Sequence, residues 1–213
     1  MTETTTAADY AWLEERYESL TEAYCITLVR GLTAQELLRN LKAEPAGRVT
    51  GVEELYEPSY DVSGHSRLFV GAADLDGWAL MVEYNGYLGT LDEIMLPLSR
   101  GRTVVSHFRN INAVDHFNWF EDGTLRLHFE PLFAHARDGS HPDELLTEMR
   151  EAGFDTEEPD EGDEGLDGDE GDDQDFETLT AASFVLADRI TGVRLTPELF
   201  ASAEFRCGIA PIS

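Results

Sequence analysis

Apolar residues recur at Tyr10, Leu13, Tyr17 and Leu20 with acids filling the gaps, the spacing of a helix that buries one stripe. The pattern then changes period. Tyr24-Cys25-Ile26-Thr27-Leu28-Val29 is a β-branched and apolar run that predicts a buried strand ended by Gly31. Thr33 and Glu36 form a capping box, so a helix is predicted over 34–41, closed by Pro45 and Gly47. Residues 48–66 show no clear period and read as mostly loop. Residues 68–72 and 78–84 read as two strands around a turn at 74–77. In the second, Trp78, Leu80, Val82 and Tyr84 share one face while Ala79, Met81 and Glu83 share the other. After the turn dipeptide Asn85-Gly86, Thr90 and Glu93 predict a second capping box and a short helix to about Leu96.

Further strands are predicted at 102–109, 115–121 and 124–130, the last two joined by the tight turn Asp122-Gly123. If Glu121 faces Thr124, then Phe120 faces Leu125, Asn118 faces Leu127 and His116 faces Phe129. Both sheet faces then carry apolar residues and need cover. Ser140 with Pro142 predicts a helix through Ala152, residues 178–190 a helix with one strongly apolar stripe, and Thr196-Pro197 a last short helix. The order of elements indicates α+β: a single domain with a mainly antiparallel sheet of about five or six strands flanked by helices. The domain is expected to span 9–154 plus 178–213, after a flexible tail at 1–8.

The interruption at 155–177 is compositional. Of its 23 residues, 14 are Asp or Glu and none is basic, so it predicts a disordered, solvated insert. The whole chain carries −28, and outside the insert 29 acids still face 15 bases. Such a field repels phosphate backbones and anionic membranes, and favours a basic protein as partner. The bases are 14 Arg and one Lys, which suggests a high-GC bacterial genome. A start without a basic, apolar leader and the lack of any span of ~20 apolar residues point to the cytoplasm. Cys25 and Cys207 both lie in apolar surroundings and read as free buried thiols.

The stretches ITLVRGLTAQELLRNL (26–41), GWALMVEYNGYLG (77–89), LSRGRTVVSHFRNINAVDHFNWFEDGTLRLHFEP (98–131) and LADRITGVRLTPEL (186–199) resemble an uncharacterised actinobacterial domain family of unknown function. The likeness runs along nearly the whole chain apart from tail and insert. It implies one domain and supplies no catalytic residues.

Candidate chemistry is sparse. His107, His116 and His128 fall on neighbouring strands, but the expected hairpin register turns His116 and His128 to opposite faces, and no HxH, HExxH or CxxC spacing occurs. The acidic run fails the EF-hand spacing, because the loop starting at Asp167 has Gly171 at position 5 and Asp172 at position 6. No nucleophile elbow, P-loop or dinucleotide fingerprint is present, and in a triad drawn from Asp115, His116 and Ser106 the adjacent Asp115 and His116 would face opposite sides of a strand, so one could not orient the other. No cofactor or metal is expected. Two polar, turn-borne clusters beside aromatics remain as binding candidates. One is Trp78, Glu83 and Asn85, with Gly86; the other is Arg109, Asn110 and Asn112. The expectation is a non-enzymatic protein-interaction module, of immunity type or regulatory, that binds a basic partner. The alternative is a small-molecule-binding or sensory domain with a pocket between sheet and helices near Trp78, Glu83 and Arg109.

Overall fold

The computed structural model describes residues 5–62, 66–158 and 176–212. Eight strands among them form one sheet: β1 (Tyr24–Arg30), β2 (Glu44–Thr50), β3 (Arg67–Leu75), β4 (Trp78–Tyr84), β5 (Thr103–Arg109), β6 (Asp115–Glu121), β7 (Thr124–Phe129) and β8 (Glu204–Pro211). The order is β2-β8-β3-β4-β1-β5-β6-β7. Every neighbouring pair is antiparallel. The helices are α1 (Trp12–Arg16), α2 (Glu18–Thr21), α3 (Ala34–Asn40), α4 (Tyr56–Asp61), α5 (Asp92–Leu98), α6 (Leu146–Ala152), α7 (Phe176–Thr191) and α8 (Pro197–Ser202).

Strand alternation divides the core into two layers. On one face Tyr24, Ile26, Leu28, Val105, Phe117 and Phe129 pack under α7, α6 and the N-terminal turns. On the other, Val29, Met81, Val104 and Phe120 pack under α3 and α5, which contribute Leu37, Met95 and Leu98. Covering both faces is what an apolar pattern on both sides of β4, β5 and β6 demands. Each fully buried large side chain contributes on the order of 2 kcal/mol of apolar transfer. Tyr10, Leu13, Tyr17 and Leu20 are all buried, as their spacing predicts. Their segment is broken into a 3-10 turn (Ala7–Tyr10), α1 and α2 instead of one helix.

Eight strands, not five or six, are present because β2 and β8 add themselves to the β3 edge. The β2 sequence holds Pro45 and Gly47 and is almost wholly exposed, so it has no strand pattern of its own; only pairing with β8 makes it one. The Thr33–Glu36 capping box forms as predicted, and Thr196 caps α8. The second box does not: Thr90 spends its hydroxyl on the Tyr87 carbonyl, and Leu91 occupies the cap position of α5. The stretch from Ser140 is a series of turns, and α6 begins only at Leu146. At the N-terminus, within the segment read as a tail, Thr5 donates to Asp188 and Thr6 bonds Asp9. The insert predicted over 155–177 lies, from 159 to 175, outside the described residues. Its leading flank packs: Thr156 is buried, and Arg150 donates to its hydroxyl at 2.8 Å.

The hairpin register also differs. Glu121 faces Thr124 and Phe120 faces Leu125, but a bulge then shifts the pairing so that Trp119 faces Leu127, Asn118 faces His128 and Phe117 faces Phe129. The extra residue is Arg126, whose guanidinium lies 5.1 Å from the Trp119 ring centroid. The segment after β7 returns along this edge, with His128 and Asp138 exchanging backbone hydrogen bonds. Gly139 permits the approach, because a Cβ there would fall 2.7 Å from the Arg126 carbonyl carbon.

Candidate functional site

Antiparallel pairing brings the start of β1, the end of β4, the end of β5, the start of β6 and the end of β7 to one end of the sheet. Five of the six predicted binding residues sit there: Glu83, Asn85, Arg109, Asn110 and Asn112. Trp78 does not. It pairs with Arg30 at the opposite end, six residues or ~20 Å along β4 from Tyr84. The five are also split between faces. Arg109 lies across from Tyr24, on the face covered by α7, whereas Glu83 lies across from Cys25 on the other face. Between Trp78 and Arg109 the sheet is filled by Leu80, Val82 and Val105, all buried, so no pocket joins the three predicted residues.

On the α7 face, Arg109 ties several elements together. It donates to Thr180 of α7 at 2.7 Å and lies 3.9 Å from Asp115 and 4.0 Å from Glu14. Glu14 in turn accepts from Thr21 at 2.7 Å. Asp115 is 2% exposed, and burial pushes its carboxyl up to about 7 although the Arg109 charge opposes that shift. Next to it, the Tyr24 hydroxyl and His107 Nδ1 are hydrogen-bonded at 2.7 Å. Burial, with Arg109 nearby, brings the His107 imidazole down to about 3, so it is neutral at physiological pH.

On the other face Glu83 is 1% exposed. Its Oε1 accepts from the Leu88 amide at 3.2 Å, and its Oε2 has no partner among the described residues. Burial pushes this carboxyl up to about 8, so it is held as the neutral acid near pH 7. Gly86 is needed above it, since a Cβ would collide with the Glu83 carboxyl. A polar chain continues beside it: Ser106 donates to the Gly89 carbonyl at 2.6 Å, Asn118 donates to Ser106 at 3.3 Å, and His128 Nδ1 bonds Asn118 Oδ1 at 2.9 Å. Cys25 lies in this layer as a buried free thiol raised well above its ordinary value by burial; Cys207 is also free, and raised to about 11. The cluster is buried from Glu83 to Asn118 and reaches the surface only at the half-buried His128.

The bulge in the β6–β7 hairpin corrects the histidine expectation. His116 and His128 share a face, with ring centroids 5.3 Å apart, while His107 lies on the other. Among the described residues no three His, Cys, Asp or Glu side chains are grouped to hold a metal.

The turn 110–114 is built by Asn110, whose Oδ1 accepts from the amides of Asn112 and Val114 at 2.9 and 3.1 Å. Asn110 therefore shapes the turn, and the turn carries one large apolar side chain outward. Ile111 is 68% exposed. Leu132 and Phe133 follow β7 at the same sheet end, and Tyr56 and Tyr60 meet there on α4 as a tilted pair, with the Tyr56 ring centroid 5.4 Å from that of Tyr84. With Val114, these are the six exposed large apolar residues of the described chain, and all belong to this end. The available signal was apolar residues in turn contexts: Ile111 between two asparagines, and Leu132-Phe133 after Pro131. Exposed Glu22, Glu57 and Asp61 surround the tyrosines. At the opposite end a wide cleft of about 850 Å³ is lined by Arg30, Arg102, Arg126 and His141, with Glu121 and Asp122.

The described elements thus define an α+β domain built on a single fully antiparallel sheet with helices on both faces. The chain belongs to a family of unknown function (DUF6461), whose profile covers residues 3–213. It matches no curated protein and no solved structure. No described helix is long and apolar enough to cross a membrane.

Proposed function

We propose that this is a cytoplasmic, non-enzymatic interaction module that docks a basic protein on the sheet end carrying Tyr56, Tyr60, Ile111, Leu132 and Phe133. The observation that carries the reading is the gathering of all six exposed large apolar side chains of the described chain at one end. Scattered exposed apolar residues are ordinary, whereas a concentration rimmed by polar groups is characteristic of interaction sites. From β4 to β7 this end is four strand spacings wide, ~19 Å, the scale of one side of a standard protein interface.

Charge decides the kind of partner. The local cation, Arg109, is engaged with Asp115, Glu14 and Thr180, while exposed carboxylates flank the aromatic anchors. With −28 overall, association with a basic surface is accelerated by steering, and the apolar anchors then hold the complex. An immunity-type protein that masks a basic toxin or nuclease is the specific form this reading takes. The alternative of a pocket between sheet and helices finds no support near Trp78, Glu83 and Arg109, where the layers are packed.

The test is affinity capture from a lysate of the native host at low and moderate salt, with wild type beside Ile111→Ser/Phe133→Ser. One basic protein recovered by wild type, weakened by salt and lost by the double variant, is the expected result. Equal recovery by both proteins, or none by either at low salt, overturns the proposal.

A further inference from the structure

A separate groove, on the far edge of the sheet, carries a different charge. It lies between α3 and the β2–β8 pair, has a volume of about 400 Å³, and is lined by Leu38, Ala43 and Pro45 together with Arg39, Arg48 and Arg206. Arg48 and Arg206 are directly opposite each other on adjacent antiparallel strands. Like charges in that position repel and lower stability unless something neutralises them. In a chain with 43 acids, carboxylates for pairing are plentiful, and seven other arginines take them. Among the described residues Arg48 and Arg206 have no ion pair. Arg39 bonds only the Gln35 carbonyl of its own helix, and Glu36, which feels the Arg39 charge, directs its short bonds to Thr33. A single charge on an edge strand is explained as a guard against edge-to-edge pairing. That accounts for Arg48 and leaves Arg206 and Arg39 unexplained.

From this arrangement we infer that the groove binds a small organic anion, a phosphate or carboxylate head with a short apolar body. Guanidinium forks recognise either head group through paired N–H donors, and three of them around one groove set a strong local positive potential. Leu38, Ala43 and Pro45 offer an apolar wall beside the charges, and the register shift between Pro45 and Gly47 bends the outer strand. The overall negative field works against anions, so binding here comes from close contact with these three side chains.

Titration calorimetry on the full chain with phenyl phosphate, benzoate and inorganic phosphate tests this. Saturable binding of phenyl phosphate or benzoate, tighter than inorganic phosphate, is expected, and the better of the two names the head group. Arg206→Gln and Arg48→Gln should each weaken it by about tenfold. Both variants should keep the ligand-free melting temperature within about 2 °C, because removing one of two like charges costs the fold nothing. Absence of saturable binding, equal affinity for inorganic and phenyl phosphate, affinity unchanged in the variants, or a large fall in ligand-free melting temperature would each overturn the inference.

Discussion

The two ends of the sheet differ in where they place polar and apolar groups. At the Arg30–Trp78 end the outside is charged and open, a cleft where Arg30, Arg102 and Arg126 are mixed with Glu121 and Asp122. At the Tyr84–Arg109 end the arrangement is inverted: titratable groups lie inside, and apolar ones lie outside. Glu83, Asp115 and His107 are buried there, while Ile111, Phe133 and Tyr60 are 68%, 47% and 55% exposed. A carboxyl group can be buried at low cost only as the neutral acid or beside a cation. Glu83 takes the first course and Asp115, with Arg109 at 3.9 Å, part of the second. Exposed apolar side chains find their relief only against another molecule, and on that ground the inverted end is the one proposed as the docking surface.

The largest expected effect breaks this inversion through pH. Glu83 ionises at about 8 in the fold and near its ordinary 4.5 when unfolded. Between those values the folded chain holds a proton that the unfolded chain has released, so stability falls as pH rises from about 4.5 to about 8. Asp115, raised from 3.8 to about 7, acts in the same direction over its own range. His107, lowered from 6.5 to about 3, acts oppositely and removes stability as pH falls through that window. Denaturant titrations from pH 5 to 9 should therefore show a loss on the order of a few kcal/mol, and Glu83→Gln should remove much of that slope.

Next in size is Arg109→Met, which leaves Asp115 without its cation and unties Thr180 and Glu14. A loss of about 3 kcal/mol is expected in urea unfolding, with the Asp115 titration moving further up by NMR. Asn110→Ala removes the acceptor that closes the turn at Asn112 and Val114, and should cost about 1 kcal/mol while displacing Ile111. Smallest of all, Arg30→Gln at the opposite end should change stability by no more than about 0.5 kcal/mol and leave partner capture intact.

Strands with a clear period were legible from the sequence. Alternation in β4 separated Trp78, Leu80, Val82 and Tyr84 from Ala79, Met81 and Glu83, and the structure keeps that division. β2 was not legible, because Pro45 and Gly47 deny it a local preference and its pairing partner lies some 160 residues downstream. The histidine geometry turned on one bulged residue, Arg126, which no alternation rule reveals. At the candidate site, turn chemistry drew attention to Asn85, Asn110 and Asn112, and these do shape or flank the end in question. The exposed apolar side chains were not legible because apolar residues are expected inside, and only the three-dimensional burial shows which were left over.

The most direct test of the account measures the affinity of the captured basic protein for wild type, Ile111→Ser/Phe133→Ser and Arg30→Gln at two salt concentrations. The account predicts salt-weakened binding by wild type and Arg30→Gln, and at least about a hundredfold loss in the double variant. Full affinity in the double variant together with loss in Arg30→Gln would place the interface at the opposite end and contradict it.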